Sequence, residues 1–336
     1  MPGDFSSQQP LVSVIVPSRD VSDYLYYDLL PALSAQTYDH FELLVVLDHQ
    51  PERELPDWVR VIVPDMLLSP PEKRDLAADQ AQGEILAFLD DDAFPKPDWL
   101  QQAVDSFDQD TAAVCGPGFT PDSDSLLSKV SGWFWQSFWG GGPTLHRNRL
   151  AQDRLVDDYP SFNFLVRKSD FEAVNGFDCN FWPGEDTKLC LALTQDLGKN
   201  ICYSPRIQVF HHRRDIFGPH LRQAGRYGRQ RGRFARIYPE TSAKPFYFLP
   251  SVLVLGLLAG VGLSLILPWA GWLLAASLLV YLSLVLINAG LVAVKASSVL
   301  IAALLVPTTI ITHCYYGLKF IQGFLFPERG LNTRKK

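Results

Sequence analysis

Apolar residues in the first hundred positions come in short runs, each closed by a polar cluster. Residues 11–16 form one run and end at Pro17-Ser18-Arg19-Asp20. Residues 41–47 end at Asp48, residues 59–63 form a shorter run, and Ile85–Leu89 leads directly into Asp90-Asp91-Asp92. Runs of this length bounded by polar residues predict buried strands. Between them, residues 24–34 have helical spacing, and residues 72–82, rich in Ala, Asp and Gln, predict a second helix. Strands alternating with helices predict βαβ units, a mostly parallel sheet and an α/β fold. Ligands in such sheets bind beyond the carboxyl ends of the strands, where Ser18, Arg19, Asp20, Asp48 and the Asp triplet are expected to converge. Neither a glycine-rich dinucleotide fingerprint nor a Walker loop stands at any of these turns.

The C-terminal third follows a different pattern. Residues 246–267 are 22 positions without a charge. As a helix they reach ~33 Å, against a hydrocarbon core of ~30 Å. Pro268-Trp269-Ala270-Gly271 breaks the run, and residues 272–294 form a second uncharged stretch. Lys295 ends it, and residues 297–326 form a third, interrupted by Pro307, His313 and Lys319. Two uncharged runs of spanning length joined by a short break predict a membrane hairpin. A third full crossing would carry Arg329, Arg334, Lys335 and Lys336 to the far side, against the positive-inside rule. The alternative is that residues 313–326 lie in the interface or re-enter, a depth that suits Tyr315, Tyr316 and Lys319. Both paths stay open.

Charge narrows the partners. Over 336 residues, 30 Lys and Arg stand against 36 Asp and Glu. With no overall positive charge, no nucleic-acid partner is expected. Locally, residues 206–236 hold nine Arg and one acid, Asp215. A basic helix on anionic headgroups, worth ~1 kcal/mol per Arg near the surface, is one reading. Contact with a diphosphate is another, and both can hold at once. The five cysteines form no CxxC pair. That argues against a disulfide framework or a zinc site and fits a reducing compartment. Residues 1–10 are polar and show no signal peptide. The expected organisation is a polar tail (1–10), a catalytic domain (11–205), an Arg-rich closing segment (206–245), a membrane domain (246–326) and a basic tail (327–336). The expected location is multi-pass in the cell membrane, with the catalytic part in the cytosol.

The Asp triplet carries the chemistry. Three adjacent anions repel one another. A solvated acidic turn, aided by Pro95 and Pro97, is one explanation. A hard divalent cation, Mg2+ or Mn2+, is the other, because such ions take carboxylate oxygen and commonly share substrate phosphates. Later, Glu185-Asp186 follows Trp182-Pro183-Gly184 at the start of a predicted helix over residues 187–197. The helix N-terminus alone would lower both pKa values. A base working near neutral pH needs the opposite push, from burial or from its neighbour.

These motifs occur in a telling order. Val14-Ile15-Val16-Pro17-Ser18-Arg19 comes first, then Glu42-Leu43-Leu44-Val45-Val46-Leu47-Asp48. Lys73-Arg74 precedes Gly83-Glu84-Ile85-Leu86-Ala87-Phe88-Leu89-Asp90-Asp91-Asp92, and Gly176-Phe177-Asp178 precedes Gly184-Glu185-Asp186. The series resembles the GT-A glycosyltransferases of family 2 over residues 10–235. The resemblance implies a GT-A catalytic domain followed by transmembrane helices. It implies Asp90 and Asp92 as the metal-site pair, with Asp92 a direct ligand and Asp90 or Asp91 on ribose or a metal-bound water. It also implies nucleoside packing at Pro17, Ser18 and Arg19, base-edge reading by Asp48, and base or phosphate contact by Arg74. Asn163 would meet the donor sugar. Asp186 would be the general base beside Glu185, although Lys188 replaces the family's usual acid. One of His211 and His212 would close over the diphosphate and face the metal. Alternation along a strand admits only one of them, and His211 is favoured. Arg213, Arg229 and Arg233 would meet the donor. Gln230-Arg231-Gly232-Arg233-Phe234 is near the QxxRW motif of processive synthases, with Phe in place of Trp. The run Trp133-Phe134-Trp135-Gln136-Ser137-Phe138-Trp139 reads as core, interfacial segment or acceptor-side wall.

The expected activity is metal-dependent inverting transfer of one sugar, from a UDP-sugar donor, to a lipid-linked acceptor such as a polyprenyl (di)phosphate or its oligosaccharide. A processive polysaccharide synthase and a non-catalytic nucleotide-sugar binder are the rivals. Oligomeric state is not legible.

Overall fold

The computed structural model describes residues 9–178 and 182–326. Of the expected polar tail only Gln9 and Pro10 are included, and the basic tail at 327–336 lies outside the described residues. The chain divides into two units, Met1–Pro121 with Arg149–His212 and Asp122–Asn148 with Arg213–Lys336. The division cuts across the sequence-based segments, because residues 122–148 join the C-terminal helices.

In the first unit, β1 (Val12–Pro17), β2 (Phe41–Val46), β3 (Val59–Ile62) and β4 (Ile85–Leu89) pair in parallel in the order β3-β2-β1-β4. Both faces of β1 and β4 are buried, which is why their sequences are continuous apolar runs and not alternating ones. The eight-stranded sheet continues through β9 (Asn163–Arg167), β6 (Thr111–Cys115), β10 (Asn200–Tyr203) and β8 (Arg154–Leu155). β9 runs antiparallel to both β4 and β6, so the sheet is mixed. A second, three-stranded sheet has the strand order β5 (Ala93–Pro95), β11 (Val209–His211), β7 (Gly118–Phe119).

The helices of this unit are α1 (Leu30–Ser34), α2 (Pro70–Gln80), α3 (Trp99–Val104), α6 (Lys168–Ala173) and α7 (Glu185–Leu191). A capping box starts α2: Ser69 and Glu72 satisfy each other's backbone N–H groups, and Pro70 occupies the first turn. The buried side of α2 includes Lys73 and Arg74 beside Ala77 and Ala78. Two buried cations on a helix otherwise packed by alanine require anions nearby.

The second unit contains α4 (Leu126–Gln136), α5 (Phe138–Gly141), α8 (Gly218–Ile237), α9 (Pro239–Ser242), α10 (Pro245–Ser264), α11 (Pro268–Ala296) and α12 (Val299–Leu325). The last three are long and apolar enough to cross a membrane. Glycines bring α8 and α12 into close contact. A Cβ at Gly232 would stand 2.1 Å from the Phe320 carbonyl oxygen, and one at Gly323 would stand 1.8 Å from that of Arg229. Buried His220 of α8 lies between Ser131 Oγ (2.8 Å) on α4 and Thr312 Oγ1 (3.1 Å) on α12. Burial pushes its pKa down to about 4, so the link is neutral. The aromatic run belongs to this unit, and Phe134 packs with Ile301 and Leu305 in its core.

Asn163 opens β9 and is fully buried. Its Oδ1 accepts from Trp99 Nε1 (2.9 Å), and its Nδ2 donates to the carbonyls of Gly116 (2.7 Å) and Ile207 (2.8 Å). These bonds give Asn163 a structural role in the interior. Asn163→Leu leaves the Trp99 N–H and the Ile207 carbonyl unpaired, while the Gly116 carbonyl keeps its bond from the Tyr159 hydroxyl, and lowers stability by about 3 kcal/mol, read by thermal unfolding. A sugar-contact role would instead leave stability unchanged and raise the donor KM.

Candidate active site

The carboxyl ends of β1, β2 and β4 stand side by side, and their polar extensions meet there. After β1, buried Ser18 places Oγ 2.5 Å from Asp91 Oδ2 and 2.7 Å from the Asp20 carbonyl oxygen. Arg19 is exposed, and its carbonyl accepts the Asp48 N–H at 3.0 Å. Asp48 itself is paired with Lys73, Nζ to Oδ1 at 2.5 Å. The same ammonium donates to the Ser18 carbonyl. Lys73 therefore ties the β1 and β2 ends to α2, a role that the sequence reading did not assign to it. Its only sequence signal was its place beside Arg74.

Arg74 is the second buried cation, 4% exposed. Its Nη2 lies 2.7 Å from Asp90 Oδ1, and its Nη1 lies 3.5 Å from Glu185 Oε1. The guanidinium also sits 5.7 Å from the centre of the Phe177 ring, while Asp75 Oδ1 accepts the Phe177 N–H at 3.0 Å. Arg74 thus holds two protein carboxylates, where the sequence had suggested contact with base or phosphate.

Asp92 is buried, and its Oδ1 lies 3.0 Å from His211 Nε2. The antiparallel pairing of β11 with β5, which sets His211 opposite Ala93, makes this contact. Strand alternation sends His212 the other way, onto the Tyr24 ring at 4.0 Å, with Nε2 3.3 Å from Asp28. Asp90, Asp92 and His211 each offer a ligand atom, and these atoms lie within 4.8 Å of one another. Asp91 points to Ser18. Two carboxylates and an imidazole, without thiolate, suit Mg2+ or Mn2+. The Nε2 contact turns the His211 ring toward Asp92, and its buried Nδ1 has no hydrogen-bond partner among the described residues.

Glu185 and Asp186 open α7. Gly184 precedes them at φ 126°, a conformation suited to glycine, and its N–H donates to Glu185 Oε2 at 2.8 Å. Glu185 is buried, and burial raises its pKa against the pull of Arg74. Asp186 is half-buried, with Oδ1 screened from solvent and without a hydrogen-bond partner among the described residues. Burial first, then the Glu185 charge, push its pKa up to about 8, while Arg74 and a hydrogen bond from Ser161 pull the other way. Burial and the neighbour outweigh the helix end.

Arg213, Arg229 and Arg233 belong to the second unit. The Arg213 N–H donates to Asp124 at 3.0 Å, and Arg229 and Arg233 lie on α8. The Asp90–Asp92–His211 cluster and the Glu185-Asp186 pair belong to the first unit.

Residues 13–174 match the family described as Glycosyl transferase family 2. The O-antigen biosynthesis protein RfbC of Myxococcus xanthus is 29% identical over 222 residues, 60% of this chain but 17% of that protein. The glucosyl-dolichyl phosphate glucuronosyltransferase of Haloferax volcanii is 24% identical over 216 residues, 60% of this chain and 68% of that one. Among solved structures, the mannosyltransferase PcManGT from Pyrobaculum calidifontis, in complex with GDP-Man and Mn2+, superposes with a TM-score of 0.56 at 18% identity. The alignment covers 98% of this chain and 92% of that one. The chain carries a family 2 glycosyltransferase domain, and that domain has the GT-A fold.

Two outcomes test the site. Mn2+ at 100 times its Kd raises wild-type stability by about 2.7 kcal/mol in thermal unfolding, and Asp92→Asn abolishes the increment. Because Asp186 holds its proton more tightly when folded than when unfolded, the folded state binds more protons between the two pKa values. Stability therefore falls as pH rises from the ordinary carboxylate range toward about 8, and Asp186→Asn flattens that slope.

Proposed function

We propose that the protein is an inverting glycosyltransferase that moves one sugar from a nucleoside-diphosphate sugar to a membrane-borne acceptor. The observation that carries this reading is the joining of two carboxylate centres by Arg74: an oxygen-rich metal-type cluster on one side and a proton-retaining Asp186 on the other. Asp90, Asp92 and His211 would hold the divalent ion, which supplies charge neutralisation to the leaving diphosphate when bound. The nucleoside would lie along Pro17, Ser18 and Arg19, with the Lys73-fixed Asp48 at the base edge.

Asp186 then takes the proton of the acceptor hydroxyl. The freed oxygen forms a bond to the anomeric carbon as the bond from that carbon to the diphosphate oxygen breaks, with inversion. Glu185 keeps Asp186 basic, and Arg74 limits how far the shared negative charge drives both toward protonation. UDP is the proposed nucleotide. The apolar helices α10 and α11 favour an acceptor carried on a lipid, such as a polyprenyl (di)phosphate or its oligosaccharide. The name of the Haloferax relative also points to a lipid-phosphate-linked sugar. The proposed location is the cell membrane, with the catalytic unit facing the cytosol.

The test is transfer by the purified full-length protein with Mn2+, a panel of UDP-, GDP- and dTDP-sugars, and polyprenyl-phosphate lipid extract. A single added sugar on lipid is expected, with the rate rising with pH toward about 8 as Asp186 ionises. Asp186→Asn should lower the rate by about 10³-fold while leaving donor binding intact. A polymeric product would favour a processive synthase. Donor binding without transfer to any acceptor would favour a binding protein.

A further inference from the structure

Helix α12 differs from the two apolar helices before it. α10 buries two residues, α11 five and α12 ten, and past Val299 the exposed large apolar side chains of α12 form one stripe: Leu300, Ile311, Leu318 and Leu325. The spacing of 11, 7 and 7 keeps these four on one side of a helix with 3.6 residues per turn. The opposite side is buried and mixes Ile301, Leu305 and Phe320 with Thr308, Thr309, Thr312 and His313. His313 Nε2–H donates to the Trp139 carbonyl of α5 at 3.0 Å, and Nδ1 lies 2.9 Å from the Tyr281 hydroxyl of α11.

The neighbour of α12 on one flank is α8. Thr312 meets His220, Tyr316 meets Gly228 and Phe320 meets Gly232, so the two helices run side by side in the same direction. α8 carries Arg222, Arg226, Arg229, Arg233 and Arg236 at intervals of four, three, four and three, which is one stripe. At about 100° per residue in a right-handed helix, the stripe lies a quarter turn from the glycine seam. On α12, Thr312, Tyr316 and Phe320, which meet α8, lie about 160° round the helix from the apolar stripe, so that stripe faces mostly away from α8. Five arginines do not enter hydrocarbon, so the part of α12 beside them, from Thr312 onward, cannot lie in the bilayer core. The remainder, residues 299–311, is ~20 Å of helix, too short for a ~30 Å core.

We propose that α12 lies in the plane of the membrane and does not cross it. Its apolar stripe sits at the acyl–headgroup boundary, and the α8 arginine stripe rests on anionic lipid phosphates. The occupant of this surface is the bilayer leaflet itself, continuous with the lipid around α10 and α11. The inference rests on the reading that α10 and α11 span. It returns the end of α12 to the side from which α8 approaches, in keeping with the positive-inside rule.

Nitroxide probes test it in the full-length chain, with its own cysteines replaced, in vesicles of phosphatidylcholine and phosphatidylglycerol. Probes replace Leu300, Ile311, Leu318 and Leu325 one at a time, and depth is read from collision with oxygen against a nickel chelate. All four are expected at one shallow depth, about 5–10 Å into the boundary. A probe at Arg226→Cys is expected at headgroup depth. The proposal is overturned if Ile311 lies near the centre, ~15 Å deep, with Leu300 and Leu325 near opposite surfaces. It is also overturned if the Arg226 probe is in free water. Probes at Leu255 and Leu279 separate the two readings. Deep there but mid-bilayer at Ile311 sinks only this inference, whereas shallow there sinks the membrane hairpin as well.

Discussion

A guanidinium taken out of water needs negative charge around it, and Arg74 meets that need from two distant stretches of chain. Asp90 comes from the end of β4 and Glu185 from the start of α7. The Arg cannot be moved without stranding both carboxylates, and neither carboxylate can be moved without stranding the Arg. Breaking such a group costs far more than its formation gains, so the arrangement fixes geometry more than it adds stability. Everything else at the site is referred to it. Asp92 comes from the same turn after β4 and meets His211 of β11, and Asp186 follows Glu185 directly. Lys73, one residue before Arg74 on α2, ties the Asp48 side to the same helix.

Much of the first unit was legible because burial on both faces leaves a simple trace. β4 was read with its observed ends, and the starts or ends of β1, β2 and β3 shifted by no more than a residue. The helix starting at Pro70 was read two residues late, because the Ser69–Glu72 capping box lies outside the Ala-rich stretch that signalled it. The antiparallel insertion of β9 left no trace, since a central strand is apolar whichever way it runs. Strand alternation allows only one of His211 and His212 to face the carboxylates; which one is set by the pairing of β11 with β5.

Side-chain roles were less legible than positions. Arg74, Lys73 and Asn163 are polar residues whose partners lie far away in sequence. Burial decides their role, and burial of a lone polar residue has no local signature. Asn163 shows this most plainly: its three hydrogen bonds reach α3 and two loops that lie far from it in sequence. The upward push on Asp186 was stated as a requirement of base chemistry. Its source, enclosure beside Glu185, depends on packing between segments that the sequence does not place.

The path of the chain between the units has one more consequence. It leaves the first unit after Pro121, returns at Arg149, and leaves again after His212. The catalytic sheet is therefore not a bead on a string that a protease or a gene truncation could release from the membrane helices. Ending the chain at His212 would keep residues 122–148 but remove α11 and α12, whose Val292, Ile301 and Leu305 cover Val130 and Phe134. The released fragment would carry a bare apolar helix in the middle of its sequence, and such surfaces drive aggregation. Inheritance of the catalytic half and of its membrane half is in this sense a single event. A shuffling of modules that exchanged one anchor for another would have to replace α4 as well.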